Sequence, residues 1–294
     1  MTTPTKSSND SLDRLRQRSE ETISICQQYN LAHRTSDPFI YTLTTGLQLA
    51  GVEIPNINLR RYPRLSPDRL QVVVQHHNNQ RRHTKKVRRM ETFIWDIPLD
   101  AEEIAENVVC ASPLATWFMF AMYLSLEELV VLGDCILRRK TVHAPYTLHN
   151  FEDYIDRLRR LPNRKHAPRG IVKSRQALDL MRENTDSSQE TRLRLALVRL
   201  GLPCPKVNYP ITTVHGEHVW LDLAYPDECI AIEYDGVFHS EQWLHDSDRR
   251  THIEDSGWMH IQVTKTTLFS EENLIHLASR IRQALIARAP RPTR

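Results

Sequence analysis

The spacing of hydrophobic positions changes along the chain. Before residue 184, apolar residues recur mostly at helical intervals, interrupted by two strand-like runs over residues 70–75 and 92–97. After residue 187, an amphipathic helix precedes three strand-like runs, a polar helix, a fourth strand and a closing helix. This order, αβββαβα, predicts an α/β (α+β) unit in which helices cover a mixed central sheet.

Capping and helix-breaking residues mark where the predicted elements begin and end. Ser112 before Pro113, and Ser125 three residues before Glu128, are typical of helix starts. A polar cluster over residues 184–188 indicates a boundary between domains. The predicted organisation is a disordered or helical lead-in over residues 1–36, a mixed, mostly helical domain over 37–184 and a further domain over 187–288.

The individual elements follow from the same signals. The predicted helices cover residues 11–29, 41–50, 190–200, 239–256 and 274–287, and an interrupted helical pattern covers 148–184. The predicted strands of the C-terminal domain cover residues 207–214, 219–224, 229–234 and 259–264. A short link joins the second and third of these strands, which predicts a hairpin.

Composition places the chain among globular proteins. Its 294 residues are 40% hydrophobic. No run reaches the about 18 apolar residues of a membrane span, and the polar first residues lack the apolar segment of a signal peptide. The cysteines are odd in number and scattered singly, which predicts free thiols in a reducing cytoplasm: Cys26, Cys110, Cys135, Cys204 and Cys229.

Positive charge is concentrated in one short segment, although the net charge is only +3. Such a block can neutralise nucleic-acid phosphates, but it is equally typical of a solvated loop, so both interpretations stay open. The residues of this block are Arg81, Arg82, Lys85, Lys86, Arg88 and Arg89.

Acidic residues within apolar strands carry the strongest chemical signal. Asp222 is the only charged residue of the run 219–224, and Glu233 and Asp235 follow four apolar residues. Glu233 and Asp235 share one face of a strand because they are two residues apart, and the hairpin would bring Asp222 close to them. A divalent cation such as Mg²⁺ would remove the repulsion between the carboxylates and can catalyse phosphodiester hydrolysis.

These residues resemble a known nuclease signature. Asp222 and the triplet Glu233-Tyr234-Asp235 resemble the PD-(D/E)XK pattern. EYDGVFH, Asp248-Arg249 and GWMHIQVT resemble, more closely, bacterial endonuclease-like domains related to very-short-patch-repair endonucleases. The resemblance covers residues 187–288 and implies a restriction-endonuclease-like core.

The resemblance also implies roles for the matching residues. Asp222 and Glu233 would bind Mg²⁺ or Mn²⁺ together with the backbone carbonyl of Tyr234, and Glu190 would reach the metal through water. Asp235 occupies the position of the signature lysine. Related endonucleases without that lysine use histidine, so His239 is the candidate general acid or base. We further expect Gln262 and Asp248 to support the site, and Arg249 and Arg250 to bind DNA.

Several of these residues also have structural interpretations. Glu190 has capping-box spacing after Ser187, and Asp235 belongs to a common turn pair. His239 lies near the start of a predicted helix. Asp248 and the arginine after it are alternatively a pair on the surface of a polar helix.

The region before residue 184 resembles the C-terminal part of type IV abortive-infection antitoxins, on residues 41–55 and 111–139 and the charged helices that follow. Such antitoxins usually begin with a winged helix that binds DNA, and no helix-turn-helix is recognisable here. Asp134 lies among apolar neighbours of a predicted helix, which favours a buried structural acid over a functional one.

Two functions are consistent with the sequence. The first is a Mg²⁺- or Mn²⁺-dependent endonuclease that acts on DNA, in repair or in defence against foreign DNA, with no membrane partner and no organic cofactor. The second is a non-catalytic, antitoxin-like protein that binds nucleic acid and keeps the nuclease fold without its activity. The presence of Asp222 and Glu233 together with His239 favours the enzyme, whereas the missing lysine of the signature favours the binding protein.

Overall fold

A computed structural model gives the arrangement of residues 6–33, 38–75, 89–138, 146–161, 166–235 and 243–289. Within these ranges there are ten α-helices and nine β-strands, and the strands form two mixed sheets. The chain divides into two compact units between Glu183 and Asn184, at the edge of the boundary expected from the sequence. The protein therefore has a mixed α and β structure.

The N-terminal unit combines helices with a five-stranded sheet. Its strands lie in the order β3-β2-β1-β5-β4, and the pairs β2–β3 and β1–β5 are parallel. The elements are α1 (Lys6–Ala32), β1 (Ile40–Tyr41), α2 (Leu43–Leu49), β2 (Leu70–Gln75), β3 (Met90–Trp95), β4 (Ala101–Ala105), β5 (Val108–Ala111), α3 (Pro113–Phe120), α4 (Leu126–Ile136), α5 (Leu148–Arg159) and α6 (Ile171–Leu180).

Helices α3 and α4 form the interior of this unit. Every residue of α3 is buried, and Ser112 and Ser125 cap the two helices by accepting backbone N–H groups, as predicted. Trp117 packs edge-on against Phe151, with 4.9 Å between ring centroids, and its Nε1 donates to the carbonyl of Leu129 at 2.9 Å. The apolar run is therefore core over residues 114–121, whereas Met122 is exposed.

Two features of the N-terminal unit differ from the predictions. Helix α1 begins at Lys6, so Ser11 lies inside the helix, and Leu12 and Cys26 pack into the unit. Polar residues can extend a helix whose apolar positions are anchored further along the chain. Strands β1, β4 and β5 were not predicted: β1 is only two residues long and overlaps the start of the predicted helix over 41–50, and β4 is a short, charged edge strand without hydrophobic alternation.

The C-terminal unit follows the predicted order of elements, with one short additional helix. Its sheet has the order β6-β7-β8-β9, antiparallel up to β8 and parallel between β8 and β9, so a helix crosses over between the last two strands. The elements are α7 (Ser188–Arg199), β6 (Lys206–Thr212), β7 (His218–Tyr225), β8 (Ile230–Asp235), α8 (Trp243–Asp255), β9 (Met259–Thr264), α9 (Lys265–Leu268) and α10 (Glu271–Arg288).

Helices cover both faces of this sheet. Leu223, Ile232 and Ile261 pack with apolar residues of α7 and α10. On the other face, Ala231 packs with Ile253 of α8. The five cysteines are free thiols, as predicted. None of the helices in the described ranges has both the length and the apolar character that a membrane crossing requires.

Asp134 provides a test of the N-terminal core. It is fully buried on α4, and its Oδ1 accepts the backbone N–H of Arg182 at 2.8 Å. Asp134→Ala removes this acceptor from a buried donor, so we expect the free energy of unfolding to fall by about 1–3 kcal/mol. Urea titration followed by circular dichroism measures the change.

The matched control for this experiment is Asp153→Ala on α5, because the Asp153 side chain is 65% exposed. Its effect on the free energy of unfolding should stay within about 0.5 kcal/mol. Wild-type stability of Asp134→Ala would contradict the structural role.

Candidate functional site

Three acidic side chains that the sequence singles out meet in the C-terminal unit. Glu190 comes from the first turn of α7, Asp222 from β7 and Glu233 from β8. The charges of Glu190 and Glu233 both act on Asp222, so Asp222 is within electrostatic range of each of the other two carboxylates. The predicted β7–β8 hairpin is present, and continuing its register by one residue beyond the last pair, Leu223 and Ile232, brings Asp222 opposite Glu233.

Strand β7 is irregular where Asp222 lies. Leu223 packs with α7 and α10, whereas Leu221 packs in the same cluster as Ala224, on the opposite face. Residues two apart in a regular strand share a face, so β7 changes face at Asp222. Across from Asp222 in the β6–β7 register, Asn208 has φ 44°, in the left-handed region that asparagine tolerates better than most residues.

The irregularity lets the Asp222 side chain take the place of a strand partner. The β7–β8 ladder ends at the pair Leu223 and Ile232, and the backbone N–H of Tyr234 donates to Oδ2 of Asp222 at 2.9 Å. Burial raises the pKa of Asp222 well above its ordinary value, and the charges of Glu190 and Glu233 raise it further. Asp222 is therefore the acid of the three that resists ionisation.

Glu233 is held by an arginine and a histidine instead. Its Oε1 accepts from the guanidinium of Arg249 at 2.6 Å, and its Oε2 lies 2.9 Å from Nε2 of His260. Burial alone would raise the pKa of Glu233, but the hydrogen bonds to His260 and Arg249 and the charge of Arg249 outweigh it and lower the pKa. Ionisation is therefore favoured for Glu233 and disfavoured for Asp222.

Glu190 combines its capping role with a place in the site. Its carboxylate accepts from Ser187 Oγ at 2.8 Å and from the Asp186 N–H at 3.0 Å, and its own N–H donates to Ser187 Oγ. The capping interpretation is thus confirmed. The same buried carboxylate also raises the pKa of Asp222, so capping and participation in the site do not exclude each other.

The remaining predicted residues are distributed unevenly. Asp235 accepts from the amide of Gln262 at 2.7 Å. Arg249 does not lie on an open surface as expected: besides Glu233 it contacts the carbonyl of Trp220 at 2.8 Å.

Arg250 is exposed and pairs with Glu254 at 2.9 Å within α8. Asp248 is exposed on α8, and Arg89 is exposed at the start of β3. The predicted residues that lie outside the described ranges are His239, Arg81, Arg82, Lys85, Lys86 and Arg88.

His260 is the main contributor that the sequence analysis did not single out. It is buried on β9, and its Nδ1 has no hydrogen-bond partner among the described residues. Since an ionised carboxylate only accepts, the contact with Glu233 requires the proton on Nε2. The signal was present in the sequence, because His260 is two residues before Gln262 and therefore shares its face of β9.

The position of Arg249 depends on how α8 is anchored. Near the C-terminal end of α8, Nδ1 of His252 lies 2.8 Å from Oε2 of Glu217. Nε2 of His215 lies 2.9 Å from Oδ2 of Asp255. Both contacts join α8 to the connection between β6 and β7, and they hold the helix one turn beyond Arg249.

The donors at this site suit a hard divalent cation in their chemistry, because carboxylate and carbonyl oxygens are the ligands that Mg²⁺ and Mn²⁺ prefer. Within the described residues, no group of three or more His, Cys, Asp or Glu side chains is arranged as a metal site. The reason is that Glu190 caps its own helix while Glu233 turns to Arg249 and His260. A cation would therefore have to displace Arg249 from Glu233.

Comparison with known proteins finds partial relatives. The chain is 32% identical over 121 residues to two proteins of Mycobacterium tuberculosis, uncharacterized protein MT2308 and uncharacterized protein Rv2248. The match covers 40% of this chain and 44% of each relative, so the chain spans less than half of their length. No protein-family model matches the chain, and no solved structure matches it significantly.

The raised pKa of Asp222 predicts how stability depends on pH. An acid whose pKa is higher in the folded protein destabilises the fold as pH rises above its ordinary value of about 4. Asp222→Asn removes the charge and keeps an oxygen for the Tyr234 N–H. In metal-free buffer we expect it to raise the melting temperature near pH 7 and to leave it unchanged near pH 3, below the ordinary Asp pKa of about 3.9.

Each unit by which the pKa is raised corresponds to about 1.4 kcal/mol at high pH. Differential scanning calorimetry across the pH range measures the effect, with the exposed Asp227→Asn as the control. A lower melting temperature for Asp222→Asn near neutral pH would show that Asp222 is stabilised as the anion, and an equal gain at acid pH would show that the gain does not come from the charge.

Proposed function

We propose that the C-terminal unit is a metal-dependent endonuclease with a restriction-endonuclease-like core, which hydrolyses phosphodiester bonds of DNA. The meeting of Glu190, Asp222 and Glu233 carries this proposal. Burial raises the pKa of Asp222, and the charges of Glu190 and Glu233 raise it further, so the three carboxylates do not all ionise without a cation. A bound divalent ion would remove it.

Each residue of the proposed site has a role. Asp222, Glu233 and the backbone carbonyl of Tyr234 would hold Mg²⁺ or Mn²⁺. When bound, such an ion polarises a phosphoryl oxygen and lowers the pKa of a water molecule. Glu190 would orient that water, and His239 stays the predicted general acid or base.

Arg249 offers a replacement for the signature lysine. Asp235, at the lysine position, accepts from Gln262 and brings no positive charge to the site. Arg249 reaches the same acids from α8, and its side chain is 22% exposed. Once released from Glu233, this guanidinium would stabilise the negative charge that develops on a phosphate, since arginine binds phosphate oxygens in a bidentate manner.

A second candidate function is supported by the contacts of Glu233. Both of its carboxylate oxygens are already bonded, one to Arg249 and one to His260. A Glu233 carboxylate that is already occupied in this way, together with the missing lysine, would suit a protein that keeps the fold and binds nucleic acid without cleaving it. The two candidates differ in one measurable property, which is whether the site binds a divalent ion.

Cleavage of supercoiled plasmid tests the proposed activity. We expect purified protein to nick or linearise the plasmid with Mg²⁺ or Mn²⁺ and to stop when EDTA is added. Asp222→Ala should lower the rate by at least about 100-fold, because it removes a ligand of the ion that stabilises the transition state. The fold should be retained, as judged by circular dichroism.

Asp227→Ala, in the turn of the same hairpin, removes an exposed acid and should cleave at the wild-type rate. Metal-dependent cleavage that persists in Asp222→Ala would indicate a contaminating nuclease. A lack of cleavage with either ion, with DNA binding retained in a gel shift, would favour the second candidate.

Metal affinity separates the two candidates directly. Arg249→Met frees Glu233 from its competing cation, so calorimetric titration with Mn²⁺ should show about tenfold tighter binding or more, since a nearby unit charge contributes over about 1 kcal/mol. The adjacent control Arg250→Met removes an equal charge that pairs with Glu254 instead, and should bind Mn²⁺ like the wild type. If none of the three proteins binds Mn²⁺ saturably, the acids do not form a metal site.

A further inference from the structure

A short segment of the N-terminal unit concentrates arginines far along the chain from the acidic site. Residues 60–69 contain Arg60, Arg61, Arg64 and Arg69, and Asp68 is the one acid among them. All four arginines are exposed. The segment includes a 3-10 turn, Pro63–Leu65, and leads directly into β2.

A fifth arginine joins this segment at the edge of the sheet. Strand β3 is an edge strand that pairs with β2, and Arg89 immediately precedes it. The N–H of Leu70 donates to the carbonyl of Arg89 at 3.0 Å, which ties the end of the segment to the start of β3. Arg60, Arg61, Arg64, Arg69 and Arg89 are together called the arginine surface below.

One carboxylate organises two of these guanidiniums. Glu91 of β3 accepts from Nε of Arg64 at 2.8 Å and also from Arg69. The Glu91 side chain is 16% exposed, whereas those of Arg64 and Arg69 are 55% and 53% exposed. The acid therefore lies beneath two cations that face solvent, and it neutralises only one of their charges.

Stacking and buried contacts fix the segment that carries the arginines. The guanidinium of Arg64 lies over the ring of Phe93, 4.7 Å from its centroid, and that of Arg61 lies over Tyr62 at 5.3 Å. Leu65 is buried, and the buried Gln71 donates to the carbonyl of Arg64 at 3.3 Å. Guanidiniums held in this way lose little rotational freedom on binding.

We propose that the arginine surface binds the phosphate backbone of a nucleic acid. The surface has five arginines and two acids, Asp68 and Glu91, so its net charge is positive. In the described part of the chain, no carboxylate forms an ion pair with Arg60, Arg61 or Arg89. Planar guanidiniums match phosphate oxygens, and the absence of lysine from the segment favours this geometry over a diffuse positive field. Binding at this surface requires no hydrolysis, so this proposal is independent of the proposed nuclease activity.

Fluorescence anisotropy with a labelled DNA duplex of mixed sequence tests the proposal. The full chain is titrated in EDTA at several salt concentrations, so that cleavage cannot interfere. Arg60→Ala/Arg61→Ala/Arg69→Ala should weaken binding by about tenfold or more and reduce the slope of log affinity against log salt by about 2 to 3, because each lost phosphate contact releases fewer counterions. Arg64 stays unchanged because it packs on Phe93.

The matched control removes three exposed arginines from α1 of the same unit, as Arg14→Ala/Arg16→Ala/Arg18→Ala. It should keep the wild-type slope and an affinity within about twofold. An unchanged slope in the first variant, or an equal loss in the control, would overturn the proposal. Binding of polyglutamate that is lost in the first variant while duplex binding is kept would also overturn it and indicate an acidic protein partner.

Discussion

Placing Glu190 and Glu233 close to Asp222 imposes an electrostatic constraint on the C-terminal unit, and each acid meets it differently. Burial and its two neighbours raise the pKa of Asp222, so protonation relieves that acid. Glu190 is satisfied by hydrogen bonds at the start of its helix. Glu233 keeps its charge because Arg249 and His260 lie against it. Removing a charge from water is unfavourable unless such partners are supplied, which explains why side chains from five elements, α7, β7, β8, α8 and β9, meet here.

The backbone contributes to this convergence as much as the side chains do. Because β7 changes face at Asp222, Val219 and Leu221 pack in one hydrophobic core, whereas Leu223 and Tyr225 pack in the core on the other face. The left-handed conformation of Asn208 opposite Asp222 belongs to the same irregularity. Local departures of this kind persist only where the surrounding structure enforces them, and they concentrate at functional sites. The site is thus built into the sheet rather than added to its surface.

Sequence predicted the order of C-terminal elements well because the strands there are apolar runs separated by clear breaks. The β7–β8 hairpin, and with it the opposition of Asp222 and Glu233, followed from the short link. The contacts of Arg249 could not be predicted, because α8 has few apolar residues and their spacing gives little indication of which face meets the sheet. Likewise β4 escaped prediction, since a charged edge strand lacks alternation.

The anchoring of α8 to the β6–β7 connection has a consequence for how such domains vary in sequence. Residues of a helix turn by about 100° each, so inserting or deleting one residue between Arg249 and His252 would rotate the guanidinium away from Glu233 while the helix end stayed fixed. Length changes are therefore expected to be excluded from this turn of α8. The turn of the β7–β8 hairpin, around the exposed Asp227, has no comparable restriction from the arginine. An alignment of related chains would then show gaps in the β7–β8 hairpin turn and a constant length in this turn of α8.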